Sequence, residues 1–275
     1  MIQIVTDSSA DIPKFLLDKY EIHIVPLTIH LNRKEYAEGV DITPQEFFKE
    51  MFSSVELPKT SQPTPARFAQ LFSELSVQGE ILCLTVSSKL SGSFGSANLG
   101  KELSRKPEVV VFDTEAGSIG HGLQVLQAAE MVRAGFSMDK ILSQLDQYRK
   151  EMKFLILLDT LENIVKGGRL SRFQGSLAKL LDIKAILHNV EGSAEILERV
   201  RGHQKSLQRV IELVGERCND FSNRVIGITH VDNLSDAQFL ALELDKLYHP
   251  KEIIINEMGS TIATYAGKSG LIVAF

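Results

Sequence analysis

The chain has 275 residues, of which 44% are hydrophobic, 24% charged and 7% aromatic, and its formal net charge is −5. This composition is typical of a globular protein and excludes disordered, collagen-like and low-complexity chains. The length corresponds to about two domains, each long enough to bury a core. The acidic balance argues against nucleic acid as a partner.

The sequence contains no predicted segment for membrane insertion or export. Its longest apolar runs, such as residues 154–158 and 270–275, are far shorter than the roughly 20 residues that span a bilayer. It starts with a strand pattern rather than with a basic leader and a long apolar region. Cys83 and Cys218 lack the spacings that ligate zinc, and we expect both to be reduced thiols. The sequence therefore predicts a cytoplasmic protein without stable membrane insertion.

Strand and helix patterns alternate in the first half of the chain. An apolar run ends in a polar turn at Thr6, Asp7 and Ser8, and a helical pattern then starts at Asp11. This alternation predicts a parallel sheet with helices on both faces. Strands are predicted at residues 2–5, 22–31, 81–86 and 109–112. Helices are predicted at 11–20, 44–52, 96–103 and 138–149, with a further helix that begins near 65 and another that ends at 133, and a polar loop is predicted at 58–65.

The pattern changes near Lys150, where we place a domain boundary between residues 1–150 and 151–275. Connections become short, such as the hairpin-like turn at Glu191 and Gly192, which indicates a second domain with a mixed sheet. Its strands are predicted at residues 154–158, 183–189, 195–200, 224–228 and 252–255. Because no flexible linker separates the halves, we expect a close interface that can hold a ligand.

Four segments rich in hydroxyl side chains and glycine lie where this architecture would place a ligand. Three of them follow predicted strands, at residues 6–9, 87–93 and 113–122, and the fourth is the loop 59–64. Ligands of α/β proteins bind beyond the carboxyl ends of the strands, where N–H groups at helix N-termini favour anions. Helix capping alone would explain any single segment. Four at corresponding positions favour a site for an anionic head group.

Motifs of common phosphate, nucleotide and metal sites are not matched. Gly267-Lys268-Ser269 is similar to the end of a P-loop, but the preceding glycine, Gly259, lies too far upstream. No dinucleotide fingerprint follows a strand, and no nucleophile elbow is present. His230 and Asp232 could be read as two metal ligands, but the seven histidines include no helical pair spaced for a metal. We predict neither a metal site nor a cofactor.

The segment Gly167-Gly168-Arg169 permits two interpretations. Paired glycines allow a tight turn, and an arginine there can offer a forked, permanently charged donor to a carboxylate or phosphate. The alternative is a surface arginine that follows the end of a helix.

Six segments, in this order along the whole chain, resemble a known family. They are residues 6–11, 59–63, 87–97, 113–122 and 166–169, and Lys184 with Val200 and Arg201. The sequence is thereby identified as resembling the DegV family. Members of that family bind a long-chain fatty acid, and they resemble the acyl-presenting subunit of bacterial fatty acid kinase. A separate ATP-dependent catalytic subunit of that kinase phosphorylates the bound carboxylate.

The resemblance implies an α/β fold with an N-terminal three-layer α/β/α domain and a C-terminal α/β domain that buries the acyl chain. The fatty acid carboxylate would lie at the interface and accept hydrogen bonds from Thr60 and Ser91. Arg169 would belong to the surrounding polar network, with Ser61 and Ser93 contributing less directly. No residue would be catalytic, and the partners would be the fatty acid and a fatty acid kinase catalytic subunit.

The chain departs from the family pattern near its C-terminus. Tyr265 stands where the family usually has histidine, and Lys268-Ser269 replaces a Pro-Gly pair. A tyrosine hydroxyl can donate to a carboxylate, but it cannot become a cation near neutral pH. We therefore include Tyr265 in the supporting polar network and expect altered handling of the head group.

A different class of function is an enzyme that acts on a small anionic metabolite in the interdomain cleft. Against it, no residue pair offers a nucleophile with its base, and Asp7 and Asp113 are expected to orient loops. The sequence does not reveal the acyl-chain preference, the oligomeric state or the partner surface. The preference depends on which apolar residues line the tunnel, with candidates Phe173, Leu177, Leu180, Leu181 and Ile186.

Overall fold

The structure, a computed structural model, describes residues 2–170 and 182–275. Its framework in this part of the chain is a four-stranded sheet, a six-stranded sheet and a three-stranded sheet. The four-stranded sheet is parallel throughout, and the six-stranded sheet is mixed. This arrangement confirms the predicted α/β class with a parallel sheet in the first half and a mixed sheet in the second.

The first half alternates strands and helices largely as predicted. In chain order it contains β1 (Gln3–Asp7), α1 (Lys14–Tyr20), β2 (His23–Val25), β3 (Thr28–Leu31), β4 (Lys34–Ala37), α2 (Pro44–Ser53), β5 (Lys59–Ser61), α3 (Pro65–Leu75), β6 (Ile81–Thr85), α4 (Ser93–Ser104), β7 (Val109–Asp113), α5 (Ser118–Arg133) and α6 (Met138–Glu151). The parallel sheet has the order β2-β1-β6-β7, and the three-stranded antiparallel sheet has the order β4-β3-β5.

Local sequence accounts for where two of these helices begin. The Thr43 side chain accepts from the N–H of Glu46, whose carboxylate accepts in return from the Thr43 N–H, so α2 starts with a capping box. Thr64 caps α3 in the same way at the N–H of Arg67. In both helices proline follows the cap, where its missing N–H costs no hydrogen bond.

Two predictions for the first half were wrong. Residues 22–31 were expected to form one strand, but the chain pairs in two different sheets on either side of Pro26. Proline cannot donate to a sheet ladder, so the pairing stops there. Residues 58–65 were expected to be a loop, but Lys59–Ser61 pairs with β3. The alternation of apolar residues gives no signal for so short and polar a strand.

The second half forms the six-stranded sheet. In chain order it contains β8 (Phe154–Leu158), α7 (Glu162–Lys166), β9 (Ile183–Val190), β10 (Ser193–Arg201), α8 (His203–Arg217), β11 (Val225–His230), α9 (Leu234–Tyr248), β12 (Glu252–Glu257), α10 (Ser260–Ala266) and β13 (Leu271–Ala274). The strands lie in the order β10-β9-β8-β13-β11-β12. The hairpin predicted at Glu191 and Gly192 is confirmed as the turn between the antiparallel strands β9 and β10. The four helices and the last strand of this half are not among the predicted elements.

Helix α5 joins the two halves. It contacts β1 and β6 of the parallel sheet and β11 and β13 of the mixed sheet, and most of its residues are buried. One hydrophobic cluster therefore runs through both halves, from Ile4 to Ala274. The predicted domain boundary at residue 150 stays a prediction, and it would fall at the end of α6. No helix among the described residues is long and apolar enough to cross a membrane.

Candidate functional site

A mostly apolar pocket lies between the two halves of the chain. Phe154, Ile156 and Leu158 alternate along β8, so they share the face of the mixed sheet that forms one wall. Ile272 pairs with Ile156 from the neighbouring strand and extends this wall. The other apolar lining residues come from loops and from α7, β10 and α10: Leu27, Val86, Leu90, Ile164, Ala194, Ile262 and Ala266.

Four of the predicted site residues line this pocket together: Thr60, Ser91, Arg169 and Tyr265. The hydroxyl oxygens of Thr60 and Tyr265 are 2.6 Å apart, although 205 positions separate these residues in the sequence. Each of the four side chains is only half-buried. The pocket therefore combines an apolar wall with a group of three hydroxyls and one guanidinium.

The Arg169 guanidinium is held in a fixed orientation. Its Nε donates to the carbonyl of Leu90 at 3.1 Å, and its Nη1 donates to the carbonyl of Gly167 at 2.7 Å. The guanidinium carbon also lies 4.8 Å from the centre of the Tyr265 ring, within the range of a cation–π contact. Within residues 2–170 and 182–275 no carboxylate forms an ion pair with Arg169. Its charge is therefore available to an anion in the pocket.

Gly167 allows the close approach of this loop to Tyr265. A Cβ at position 167 would lie 2.4 Å from two ring carbons of Tyr265, closer than van der Waals contact permits. The paired glycines thus do more than turn the chain, because the first of them makes room for the aromatic ring beneath Arg169. This geometry favours the interpretation of Arg169 as a site residue over that of a surface arginine.

The two remaining predicted residues lie in different surroundings. Ser93 is fully buried at the start of α4, where its Oγ is 3.0 Å from the Oγ of Ser91. Ser61 neighbours Thr60 in β5 but points to the opposite side of the strand, because successive side chains alternate. Its Oγ lies 2.8 Å from Nε2 of His30, and the residue is exposed and outside the pocket lining. The structure does not bring Ser61 into the polar group.

Two buried or half-buried aspartates hold the loops that carry these side chains. Asp7 accepts from the N–H groups of Ser9 and Val86, at 3.1 and 2.9 Å. Asp113 accepts from the N–H of Ser88 at 3.2 Å. Both aspartates lie at the ends of parallel strands, and both tie the end of one strand to the loop after its neighbour. They orient loops, as expected from the sequence.

Comparison with known proteins matches the whole chain to one family. A family model described as "Uncharacterised protein, DegV family" matches residues 1–275. The chain belongs to the DegV family. A DegV domain-containing protein of Caldanaerobacter subterraneus subsp. tengcongensis is 32% identical over 275 residues, which cover 100% of this chain and 98% of that relative.

Solved DegV structures have the same fold. The chain is similar to a DegV family protein from Thermus thermophilus described in terms of its fatty acid binding, with a TM-score of 0.93, 30% identity and coverage of 100% of this chain and 99% of that one. It is also similar to DegV of Bacillus subtilis, described as a fatty acid binding protein, with a TM-score of 0.89, 29% identity and coverage of 99% and 98%.

The β9–β10 hairpin of this DegV protein also contributes to the pocket, which the sequence did not predict. Asn189, Gly192, Ser193 and Ala194 line the pocket from that hairpin. Ser87 donates to the carbonyl of Gly192 at 2.8 Å, and Asn189 donates to the carbonyl of Glu115 at 3.1 Å. These bonds fix the hairpin against the loops of the first half. The small residues after the predicted turn, Ser193 and Ala194, are the sequence feature from which this contribution could have been predicted.

One tunnel candidate proves to be a core residue. Ile186 is fully buried and belongs to the cluster on the other face of the mixed sheet, with Leu207 and Val210 of α8. It does not line the pocket, because it alternates in β9 with residues that face the first half. Phe173, Leu177, Leu180 and Leu181 lie outside the described residues. Within residues 2–170 and 182–275, no three His, Cys, Asp or Glu side chains are grouped to hold a metal ion.

Proposed function

We propose that this protein binds a long-chain fatty acid, with the acyl chain against the apolar wall and the carboxylate at Thr60, Ser91, Arg169 and Tyr265. The observation that carries the proposal is the convergence of these four side chains in an otherwise apolar pocket. The fatty acid binding named for the Thermus thermophilus and Bacillus subtilis relatives supports the same assignment.

The polar group suits a carboxylate. An ionised carboxylate that leaves water without donors is very unfavourable, so a site for it must supply several. Thr60 and Tyr265 each carry a hydroxyl that can turn from its present partner to the ligand, and their oxygens are 2.6 Å apart. The N–H groups of Arg169 that do not bond Leu90 or Gly167 add a charge-assisted donor.

The acyl chain would supply most of the affinity. Each buried CH₂ contributes about 0.8 kcal/mol, so a chain of about sixteen carbons contributes on the order of 10 kcal/mol before the costs of binding. The head-group donors then select a carboxylate among molecules with similar chains. This division assigns affinity to the mixed sheet and selectivity to the polar loops.

We also propose that the bound carboxylate is presented to a fatty acid kinase catalytic subunit in the cytoplasm. Two exposed lysines are next in sequence to pocket residues: Lys59 of β5 precedes Thr60, and Lys89 precedes Leu90. Positive charge there would favour the approach of a phosphate group. Tyr265 cannot supply the additional cation that histidine can, so we expect weaker transfer than in relatives with histidine.

Native mass spectrometry of the purified protein tests the binding proposal. We expect a co-purifying saturated or mono-unsaturated fatty acid, and uptake of hexadecanoic acid by delipidated protein. A clean protein that takes up no fatty acid would contradict the proposal.

Acyl-phosphate formation with a cognate kinase subunit tests the presentation proposal. We expect Tyr265→His to raise the turnover above that of the native chain. Equal and high turnover in both would show that position 265 does not limit the transfer, and no turnover in either would argue against the kinase partner.

A further inference from the structure

Helix α10 carries Tyr265 but begins without a capping side chain of its own. Its N-cap residue is Gly259, so the first N–H groups of the helix need acceptors from elsewhere. Two carboxyl groups of the first half provide them. Glu38 accepts from the N–H of Thr261 at 2.6 Å, and Asp11 accepts from the N–H of Gly259 at 2.8 Å.

Both carboxyl groups are buried and held in place by further bonds. Glu38 is 4% exposed and also accepts from the hydroxyls of Thr261 and Ser8, at 2.6 and 2.5 Å. Asp11 is 6% exposed and accepts from the Ser118 hydroxyl at 2.5 Å. Hydrogen bonds in such a buried network are stronger than the same bonds in water, and they fix the geometry of their partners. They fix the start of α10 relative to the first half.

Gly259 makes this contact possible. A Cβ at position 259 would lie 2.7 Å from Oε1 of Glu38 and 2.8 Å from Oδ1 of Asp11. Any other residue would push the two carboxyl groups away from the helix start. The carboxyl groups of Glu38 and Asp11 therefore replace a capping side chain within α10, and glycine at position 259 leaves the space that they need.

The far end of α10 lies in the pocket. Tyr265 is about one turn beyond Thr261, roughly 6 Å along the helix axis. There its hydroxyl meets Thr60, and the neighbouring carbonyl of Thr264 accepts from Asn163 Nδ2 at 2.9 Å. The helix is thus held by carboxyl groups at its start and by the polar group of the pocket at its end.

We propose that Glu38 and Asp11 are positioning residues, which cap α10 from across the interface and so place the Tyr265 hydroxyl for the head group of the ligand. This inference rests on the proposed fatty acid binding and deepens it. Because coupling between two sites is reciprocal, a carboxylate held by Tyr265 also strengthens the junction between Glu38, Asp11 and the start of α10.

The test compares hexadecanoic acid with hexadecan-1-ol, which has the same chain but no carboxylate. In Glu38→Ala we expect the affinity for the acid to fall by up to about fivefold, the contribution of the one hydrogen bond from Tyr265 that Glu38 positions, with the affinity for the alcohol within about twofold of the native value. Glu38→Gln should restore most of the loss, because its amide oxygen can still accept from Thr261. Glu198→Ala, which removes a carboxylate bonded to Arg209 outside the pocket, is the control.

A purely structural role for Glu38 would lower both affinities equally or change neither, and either result would overturn the inference. A native protein that binds neither ligand would overturn the proposed function as well, which separates the two failures.

Hydrogen exchange on the native chain provides a second test that needs no folded variant. We expect the amides of Gly259 and Thr261 to exchange more slowly with the acid bound than with the alcohol bound. Equal exchange in the two complexes would contradict the inference.

Discussion

The two sheets that bound the pocket contribute to it in different ways. The parallel sheet contributes its strand ends, where Asp7 and Asp113 hold loops of hydroxyl residues and backbone N–H groups. The mixed sheet contributes a face, where Ile156 and Ile272 present side chains without polar atoms. The first arrangement is directional and depends on single bonds, and the second depends on area. Neither alone would hold a fatty acid, which has one charged end and a long apolar chain.

This difference predicts that substitutions in the two regions change ligand affinity in different ways. A change in the apolar wall should lower the affinity for every ligand with a long chain. A change in the polar loops should lower the affinity for the acid and spare uncharged analogues. Comparison of hexadecanoic acid with hexadecan-1-ol separates the two kinds of effect.

The largest loss of affinity should come from a larger side chain that occupies part of the pocket. Ala194 lines the pocket from β10 and is buried, so Ala194→Phe would occupy space that the acyl chain needs. Displacing about four CH₂ groups removes about 3 kcal/mol, so we expect the affinities for both acid and alcohol to fall at least about a hundredfold. Isothermal titration calorimetry measures both.

Ile186→Val is the matched control for the wall, since Ile186 lies on the other face of the same hairpin. It should lower the free energy of unfolding by about 1 kcal/mol and leave both affinities unchanged. A strong loss of binding in this variant, or unchanged binding in Ala194→Phe, would contradict the assignment of the two faces.

The next effect should come from the guanidinium. Arg169→Met removes the charge and the bonds to Leu90 and Gly167, and we expect the affinity for the acid to fall about thirtyfold while the alcohol is affected much less. Arg169→Lys should not restore it, because a point charge cannot replace the fork that bonds both carbonyls. Equal losses of affinity for the acid and the alcohol would show that Arg169 contributes to binding of the acyl chain and not of the carboxylate.

The sequence predicted the fold class and the polar loops because both depend on local signals. Strands ending in hydroxyl and glycine turns are visible as short segments, and Arg169 is visible after its paired glycines, whereas the roles of Thr60 and Ser91 come from the family resemblance. Membership of Ser61 depends on the side of β5 on which each residue lies. The side on which each residue lies is set by the pairing of β5 with β3, and the sequence did not reveal this pairing.

Other features depend on contacts between distant segments. The strands on either side of Pro26 belong to two different sheets. Which sheet each strand joins depends on its distant pairing partners and not on its own residues. Glu38 has no local motif that marks it as a cap, since its partner Thr261 lies 223 positions away. Ile186 and Ala194 are both apolar hairpin residues, and only the packing of α8 on one face distinguishes core from pocket.

A smaller effect should come from the phenol. Tyr265→Phe keeps the ring beneath Arg169 and the contact with Gly167 but removes the hydroxyl that lies 2.6 Å from Thr60 Oγ1. One hydrogen bond contributes about 1 kcal/mol, so we expect about a fivefold loss of affinity for the acid and no more than a twofold loss for the alcohol. Titration of both ligands measures this, and an unchanged affinity for the acid would remove Tyr265 from the head-group site.

The smallest effect concerns the junction between the two regions and its dependence on pH. Burial raises the pKa of the Asp11 carboxyl well above its ordinary value of 3.8, and the nearby Glu38 and Asp7 raise it further, against the lowering effect of the bonds from Ser118 and Gly259. The folded protein therefore retains this proton to a higher pH than the unfolded chain does. The stabilisation from it is fully present below the unfolded pKa and is lost as the pH rises through the folded one.

Asp11→Asn removes this titration while its amide oxygen can still accept from the Gly259 N–H. We therefore expect the free energy of unfolding of the variant, relative to the native chain, to rise as the pH increases above the range in which a free aspartate titrates. Urea unfolding at a series of pH values measures it, with Asp18→Asn on the exposed side of α1 as the control. If both chains showed the same dependence on pH, Asp11 would carry the same charge folded and unfolded, and its burial at the start of α10 would have no energetic consequence for the junction.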